Sequence, residues 1–285
     1  AQALILRGCE VHGLQRGAGF GLPPGVRPLP SDLEDSASIV SLPQSWDWVI
    51  HLAGASVPSA FATTAPVLTN LRITLNLLEH LQEARVLLVS SCHVYAPHNI
   101  PHQEEDPIVP QGRYGLSKHL VEQLMPHYLH KLDIRVARPF NHLGPGQRPE
   151  LVVPSLLRRL RGSRNATEPI FMRGMDSIRD FIDVRDVVEA YLSILDLDPS
   201  DQRTFNVCTG KGQHISEVIE IIQNLVGSKR AVVFEGNPNS SDDIPALIGS
   251  SALLRQRTTW IPRFSLRDSL DAMYQESLGS NDPLE

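Results

Sequence analysis

Short apolar runs that fail to alternate with polar residues are what most restrict the fold of this chain. Trp48-Val-Ile-His-Leu52, Val86-Leu-Leu-Val-Ser-Ser91 and Ile134-Arg-Val-Ala-Arg138 have strand length. A strand with one wet face would read in and out with period two, so these predict strands covered on both sides. Helical spacing lies between them, with Leu71, Leu75, Leu78 and Leu81 inside residues 66–83 and a further helix over 112–129. Strands alternating with helices in this way predict an α/β fold, a Rossmann-like doubly wound parallel sheet. Shorter strands are expected at 10–14 and 26–29, and residues 1–8 read as the tail of a helix closed by Gly8. After Asn141 the pattern changes to short strands mixed with helices over 151–161, 184–195 and 215–225. We therefore expect a first domain over 1–145. Residues 146–285 form a smaller α/β substrate lobe at the carboxyl ends of the strands, with some segments returning to the sheet.

Composition removes several functional classes. A net charge of −6 over 285 residues leaves no electrostatic footprint for nucleic acid. The basic run Leu156-Leu-Arg-Arg-Leu-Arg161 reads as a helix with one apolar and one solvated side. No apolar run reaches membrane-spanning length and no secretion signal opens the chain. The three cysteines, Cys9, Cys92 and Cys208, are too scattered for a disulfide framework or a zinc site. A soluble, reduced, cytoplasmic protein is expected.

Chemistry concentrates in Arg113-Tyr-Gly-Leu-Ser-Lys118, which follows the strand ending in Ser90-Ser91. Tyr114 and Lys118, four apart, share a helix face. A free phenol ionises near ~10, and a nearby ammonium favours the ionised form. Lys118, helped by an oxidised nicotinamide, is expected to lower that value. In the reductive direction Tyr114 would protonate an oxygen as hydride reaches carbon, and Ser91 would orient the same oxygen.

The motifs around this pair are longer and more specific. Ser90-Ser-Cys-His-Val-Tyr95, Tyr114-Gly-Leu-Ser-Lys118, Ala137-Arg-Pro-Phe-Asn-His-Leu-Gly-Pro-Gly-Gln147, Ile178-Arg-Asp-Phe-Ile-Asp-Val-Arg-Asp186, Phe205-Asn-Val-Cys-Thr-Gly210 and Asp243-Ile-Pro-Ala-Leu-Ile-Gly249 follow one another in order. Together they resemble the extended short-chain dehydrogenase/reductase family, the NAD-dependent epimerase/dehydratase group, over nearly the whole chain. Within it the similarity is greatest to nucleotide-sugar 4-ketoreductases acting on GDP-linked 4-keto-6-deoxymannose, whose product is GDP-D-rhamnose.

The resemblance implies a dinucleotide-binding first domain and roles for matched positions. Ser91, Tyr114 and Lys118 would be catalytic, Lys118 also holding the nicotinamide ribose. Asp32 and Leu33 would contact adenine, Leu52, Ala53 and Gly54 would line the cofactor, and Arg138, Pro139 and Phe140 would lie beside the nicotinamide. Ser91, Cys92, His93, Asn141, Val153 and Arg179 would bind the substrate, Asn141 at its phosphates and Val153 and Arg179 at its nucleotide and diphosphate. Arg179 has a structural alternative, an ion pair with Asp180 or Asp183. Related dehydratases carry Asp-Glu after the catalytic hydroxyl, where this chain has Cys92-His93. Related epimerase-reductases carry a Cys and a His where this chain has His93 and Leu151. Dehydration and ring epimerisation are thus disfavoured, leaving simple ketone reduction. A nucleotide-sugar 4-epimerase and a non-catalytic dinucleotide sensor remain alternatives. A homodimer through a four-helix bundle of the helices over 66–83 and 112–129 is implied too.

Arg16, where NAD-selective folds place an acid, suits a 2′-phosphate, so NADPH is expected over NADH. The family's first strand and GxxGxxG turn have no counterpart here, since Gly8 follows a helix and Gly17-Ala-Gly19 lacks a strand–helix context. Retention of Ser91, Tyr114, Lys118 and Asn141 together favours a missing N-terminal stretch over a degenerate relative. Asn239-Ser-Ser-Asp-Asp243 also lacks the Arg that relatives use on the substrate diphosphate.

Overall fold

A computed structural model describes residues 1–17, 21–98, 100–162, 168–174, 176–236 and 244–279. In chain order the first part contains α1 (Gln2–Leu6), β1 (Val11–Gln15), β2 (Val26–Pro30), α2 (Ser36–Ile39), β3 (Ser45–His51), α3 (Ala65–His80), β4 (Glu83–Val89), α4 (Gly112–Leu124), β5 (Asp133–Pro139) and β6 (Asn141–Leu143). The second part contains α5 (Val152–Gly162), β7 (Ile170–Arg173), β8 (Ile178–Asp183), α6 (Val184–Leu195), β9 (Thr204–Val207), β10 (Gly212–His214), α7 (Ile215–Val226), β11 (Val232–Glu235), β12 (Ala246–Leu247), α8 (Ala252–Arg257) and α9 (Leu266–Gly279). The α/β architecture expected from the alternating runs is present. Residues 239–243 and 18–20, which carry two of the sequence departures, lie outside the described residues.

The central sheet has the order β3-β4-β5-β9, all parallel. Its middle strands are covered on both faces, which explains their unbroken apolar reading. Val86, Leu88, Ile134 and Val136 pack with Leu77 and Leu78 of α3 and Val121 of α4. Leu87, Ala137, Phe205 and Val207 pack on the opposite side with Val187, Ala190, Tyr191 and Ile194 of α6. Strand β9 and helix α6 thus return from the second part to complete the first. A third apolar cluster joins α5, α7 and α9 through Val153, Leu156, Leu160, Val218, Ile222 and Leu270. The basic stretch on α5 behaves as expected: its leucines are buried while Arg158 and Arg159 face solvent.

Strands β1 and β2 pair in parallel with each other but form a separate two-stranded sheet. Side chains link that pair to the rest. Leu14 packs against the α3/α4 cluster, and the His12 ring meets Trp46 of β3 edge-on at 5.1 Å. Helix α1 closes as expected, with the amides of Gly8 and Cys9 donating back to the carbonyls of Ile5 and Leu4. Among the described residues no helix is long and apolar enough to cross a membrane.

One buried charge fastens α4 to the sheet. Arg138 of β5 donates to both carboxylate oxygens of Glu122 at 3.0 and 2.7 Å. It also donates to the Tyr95 hydroxyl and the Glu104 carbonyl, each at 2.9 Å. The Tyr95 hydroxyl in turn donates to Asn206 Oδ1 at 2.6 Å, and Asn206 Nδ2 donates to the His102 carbonyl at 2.9 Å. Removing one partner strands the other charge in a medium that cannot solvate it. Glu122→Ala is therefore expected to lower stability in urea unfolding by about 3–5 kcal/mol. Arg7→Ala, which removes a surface contact to Glu189 and Asp196, should cost no more than about 1 kcal/mol. Equal losses from the two changes would contradict the assignment.

Candidate active site

Two structural devices bring the candidate groups together where the central strands end. First, β4 stops at Val89, and Ser91 opens a short 3₁₀ turn over Cys92–Val94 by accepting from the His93 amide at 3.3 Å. Second, α4 begins directly against that turn. The Gln111 amide donates to the His93 carbonyl at 2.9 Å. A Cβ on Gly115 would lie 2.3 Å from that carbonyl oxygen. Only glycine lets the helix approach so closely, and this approach sets Tyr114 beside Ser91.

The Tyr114 ring is boxed in by aromatic edges, with Phe61 at 5.4 Å and His93 at 5.7 Å between centroids. Burial pushes its phenol up to about 12, against a hydrogen bond with Ser91 that works to lower it. In the protein without cofactor, burial therefore outweighs any acidification by Lys118. The Lys118 ammonium donates to the Val89 carbonyl at 2.8 Å and stands 5.9 Å from the Tyr114 ring centre. Burial lowers Lys118 to about 8, with Glu122 opposing the shift. In the free protein at neutral pH the pair is therefore a neutral acid beside a cation.

Asn70 joins this group, and the sequence reading missed it. Its amide accepts from the Ala55 amide at 2.7 Å and donates to the Ala55 carbonyl at 3.1 Å and to Ser117 Oγ at 3.2 Å. Ser117 Oγ donates to the Tyr114 carbonyl at 2.8 Å. One side chain thus fixes the loop after β3 to the Tyr–Lys helix. The available signal was a polar residue among the apolar positions of α3, since buried polar groups are kept where they are bonded. Gly54 complements Asn70: its φ is +141°, and a Cβ there would lie 2.8 Å from Asn70 Oδ1.

The other candidates divide into those at the open surface and those spent on the interior. Leu52 is 64% exposed on the loop with Ala53 and Gly54, a position open to a ligand. Arg16, just beyond β1, is near Glu34, with 3.4 Å between Nη1 and the carboxylate. Asp32 lies two residues away, its carboxylate accepting from the Glu34 amide at 2.9 Å. Asn141, beginning β6, holds a buried amide oxygen with no hydrogen-bond partner. The charge of Arg179 lowers the basicity of His93, after the larger effect of burial, which takes that imidazole to about 4. Asp180 is occupied by Thr209 and Gly210, and Asp183 by Arg185 and Ser269.

Four expectations need correction at the side-chain level. Leu33 is buried with Ile39 and Ile73, so it has no apolar face for adenine. Arg138 is bound to Glu122, and Phe140 stacks toward Tyr95 at 6.4 Å in the cluster containing Cys208. Pro139 is also buried, so the side chains of the 138–140 stretch are spent on the interior. Val153 belongs to the α5/α7/α9 core. Cys92 is buried as well, its thiol pushed up to about 12 by burial. The common reason is that strand-end motifs serve packing as much as chemistry.

Comparison with known proteins places this geometry. A family model described as NAD dependent epimerase/dehydratase family matches residues 1–208. A GDP-6-deoxy-D-mannose reductase from Pseudomonas aeruginosa is 33% identical, covering 89% of this chain and 88% of its own length. A UDP-glucose 4-epimerase from Streptomyces lividans is 27% identical, covering 92% and 87%. The solved structure of RMD from Pseudomonas aeruginosa complexed with NADPH superimposes with a TM-score of 0.79 at 31% identity, covering 90% of this chain and 91% of that one.

Two outcomes follow from the local geometry. In the free protein, ultraviolet difference titration of wild type against Tyr114→Phe should find no Tyr114 phenolate until the pH approaches about 12. The sign follows from burial, which penalises the charged form of an acid and raises its pKa. A phenolate appearing at pH 8–9 would refute the reading. Gly115→Ala should displace α4 from the His93 carbonyl and lower turnover by about 10²-fold, the scale of a 1 Å misplacement. Unchanged turnover in that variant would mean the close approach does not set the site.

Proposed function

The chain belongs to the NAD dependent epimerase/dehydratase family, and from that premise we propose that it reduces the 4-keto group of a GDP-linked 4-keto-6-deoxy sugar with NADPH. The observation that carries this reading is Tyr114, kept neutral by burial, set by the Gly115 approach beside the Ser91 turn and on the same helix face as Lys118. The 33% identical GDP-6-deoxy-D-mannose reductase supports the substrate class.

The residues present suit a dinucleotide at two ends. Gly54, its Cβ space filled by Asn70, lets the 52–54 loop lie against that side chain, and Leu52, Ala53 and Gly54 would line the cofactor. Lys118 would hold the nicotinamide ribose. At the other end Arg16, with its side chain 70% exposed, supplies a cation for a 2′-phosphate, and Asp32 closes the adenosine side. When bound, NADPH supplies the hydride.

This chain's own groups supply the rest. Ser91 Oγ and the Tyr114 phenol donate to the sugar carbonyl oxygen and stabilise the negative charge that develops there. Tyr114 gives up its proton as that charge grows, and the ammonium of Lys118 stabilises the phenolate left behind. Lys118 carries its charge below about pH 8. Neither Cys92 nor His93 is an efficient acid–base partner at neutral pH: burial takes the thiol to about 12 and the imidazole to about 4. Elimination and ring epimerisation therefore lack their machinery. Arg179 supplies positive charge for the diphosphate. The unpartnered Asn141 oxygen accepts from a substrate hydroxyl, because phosphate oxygens carry no donor.

A homodimer through α3 and α4 completes the proposal. Leu68 on α3 and Leu116 on α4 are 58% and 41% exposed, apolar surface that a four-helix interface would cover.

The decisive assay follows NADPH absorbance after adding the GDP-linked 4-keto-6-deoxymannose. Stoichiometric oxidation is expected, and Tyr114→Phe should reduce kcat by about 10²–10⁴-fold with NADPH binding retained. Arg16→Ala should weaken NADPH more than NADH. Sugar interconversion without net oxidation would identify an epimerase instead, and dinucleotide binding without turnover of any 4-keto sugar would identify a sensor.

A further inference from the structure

The loop from Tyr95 to Gln111 joins the Ser91 turn to the Tyr114 helix, and it holds three side chains that the proposed reduction does not use. His98, His102 and Asp106 each direct one donor atom into a common space, all three atoms lying within 4.8 Å of one another. His98 Nε2 is 3.1 Å from Asp106 Oδ2, and His102 Nδ1 is 3.7 Å from the same oxygen. Ligands bound to zinc at 2.0–2.1 Å in a tetrahedron stand about 3.3 Å apart. The two spacings fall on either side of that value.

His102 is the independent sign of a ligand. It is 0% exposed, and neither of its ring nitrogens has a hydrogen-bond partner. A buried polar atom left in that state is costly. The His98–Asp106 contact uses His98 Nε2 only, leaving His98 Nδ1 buried and unpartnered, and does nothing for His102, whose Nδ1 is too far from the carboxylate for a hydrogen bond. An ion among the three would bind one of the two nitrogens that protein groups leave unpaired.

The surroundings hold the donors in place. The His102 ring stacks on Tyr95 at 4.7 Å with 14° between planes. Its backbone bonds in both directions, the amide donating to Ile248 and the carbonyl accepting from Ser250. The Gln103 amide donates to Asp106 Oδ2 at 2.9 Å and orients the carboxylate. His98 and Asp106 keep partial exposure, 28% and 26% of their side chains, leaving room for water as a fourth ligand.

We propose that His98, His102 and Asp106 form a binding site for a divalent first-row transition ion of the zinc type, which clips the 98–106 loop closed. Two imidazoles and one carboxylate select such an ion over magnesium or calcium, which prefer oxygen ligands alone. The site is structural: through Tyr95 it braces the Arg138–Glu122 pair beneath α4.

The test uses the full chain without an affinity tag, stripped with EDTA, dialysed and titrated with Co²⁺ in place of Zn²⁺. Wild type should bind one ion with the visible absorption of low-coordinate cobalt, and Zn²⁺ should displace it. His98→Ala and Asp106→Asn, checked for native circular dichroism without metal, should each weaken binding by more than about 10-fold, the lower limit for losing even an outer-shell partner. Absence of saturable binding in wild type, or unchanged binding in both variants, would overturn the proposal. The reductase reading is assayed separately by NADPH oxidation, so failure of one leaves the other standing.

Discussion

Everything near the candidate site rests on one buried guanidinium. Arg138 joins four pieces of chain that are distant in sequence: β5, the Glu122 turn of α4, Tyr95 after the Ser91 turn, and the Glu104 carbonyl. Through Tyr95 the network reaches Asn206 of β9 and the backbone of His102. A charge in this position costs several kcal/mol to desolvate, and only a complete set of partners offsets it. The cost is what makes the arrangement specific. Any shift of α4 along the sheet would break a bidentate pair that water cannot replace. The helix bearing Tyr114 and Lys118 is thereby held in one register relative to the strand end bearing Ser91.

That register is completed by contacts at the other end of the helix. Gly115 admits the His93 carbonyl, Gln111 bonds to it, and Asn70 bridges the helix to the loop after β3. The catalytic candidates thus lie on rigid elements and are positioned by neighbours with no role in proton transfer. The same packing explains their altered acidities. Tyr114 and Lys118 both lose solvent, so the acid becomes weaker and the base loses its proton more readily.

The sequence was legible where physics leaves a periodic or ordered trace. Unbroken apolar runs identified β3, β4 and β5, and leucine spacing identified α3, because burial on two faces or on one stripe dictates those patterns. Ser91, Tyr114 and Lys118 were found through motif order, and the structure brings them to one place. The errors share a cause. A motif records that a residue is needed without recording why, and Leu33, Val153 and Arg138 are needed for packing. Asn70 and Gly115 escaped because their roles depend on contacts between distant segments. So did the separation of β1–β2 from the β3-β4-β5-β9 sheet, since hydrogen-bond pairing between strands leaves no local signature.

The state of Tyr114 in the free protein suits the proposed direction of chemistry. A 4-epimerase must begin by removing a proton from a substrate hydroxyl, which requires a phenolate. A ketoreductase begins by donating one, which requires a neutral phenol. Burial here favours the neutral form, and in the free site Lys118 does not reverse the preference. An oxidised nicotinamide would add positive charge and shift the balance toward phenolate, whereas a reduced one is neutral at its ring. A site entered with reduced cofactor therefore keeps its acid intact until the carbonyl oxygen itself gains charge. Burial that would hinder a base at the start of epimerisation is an advantage for an acid at the start of reduction.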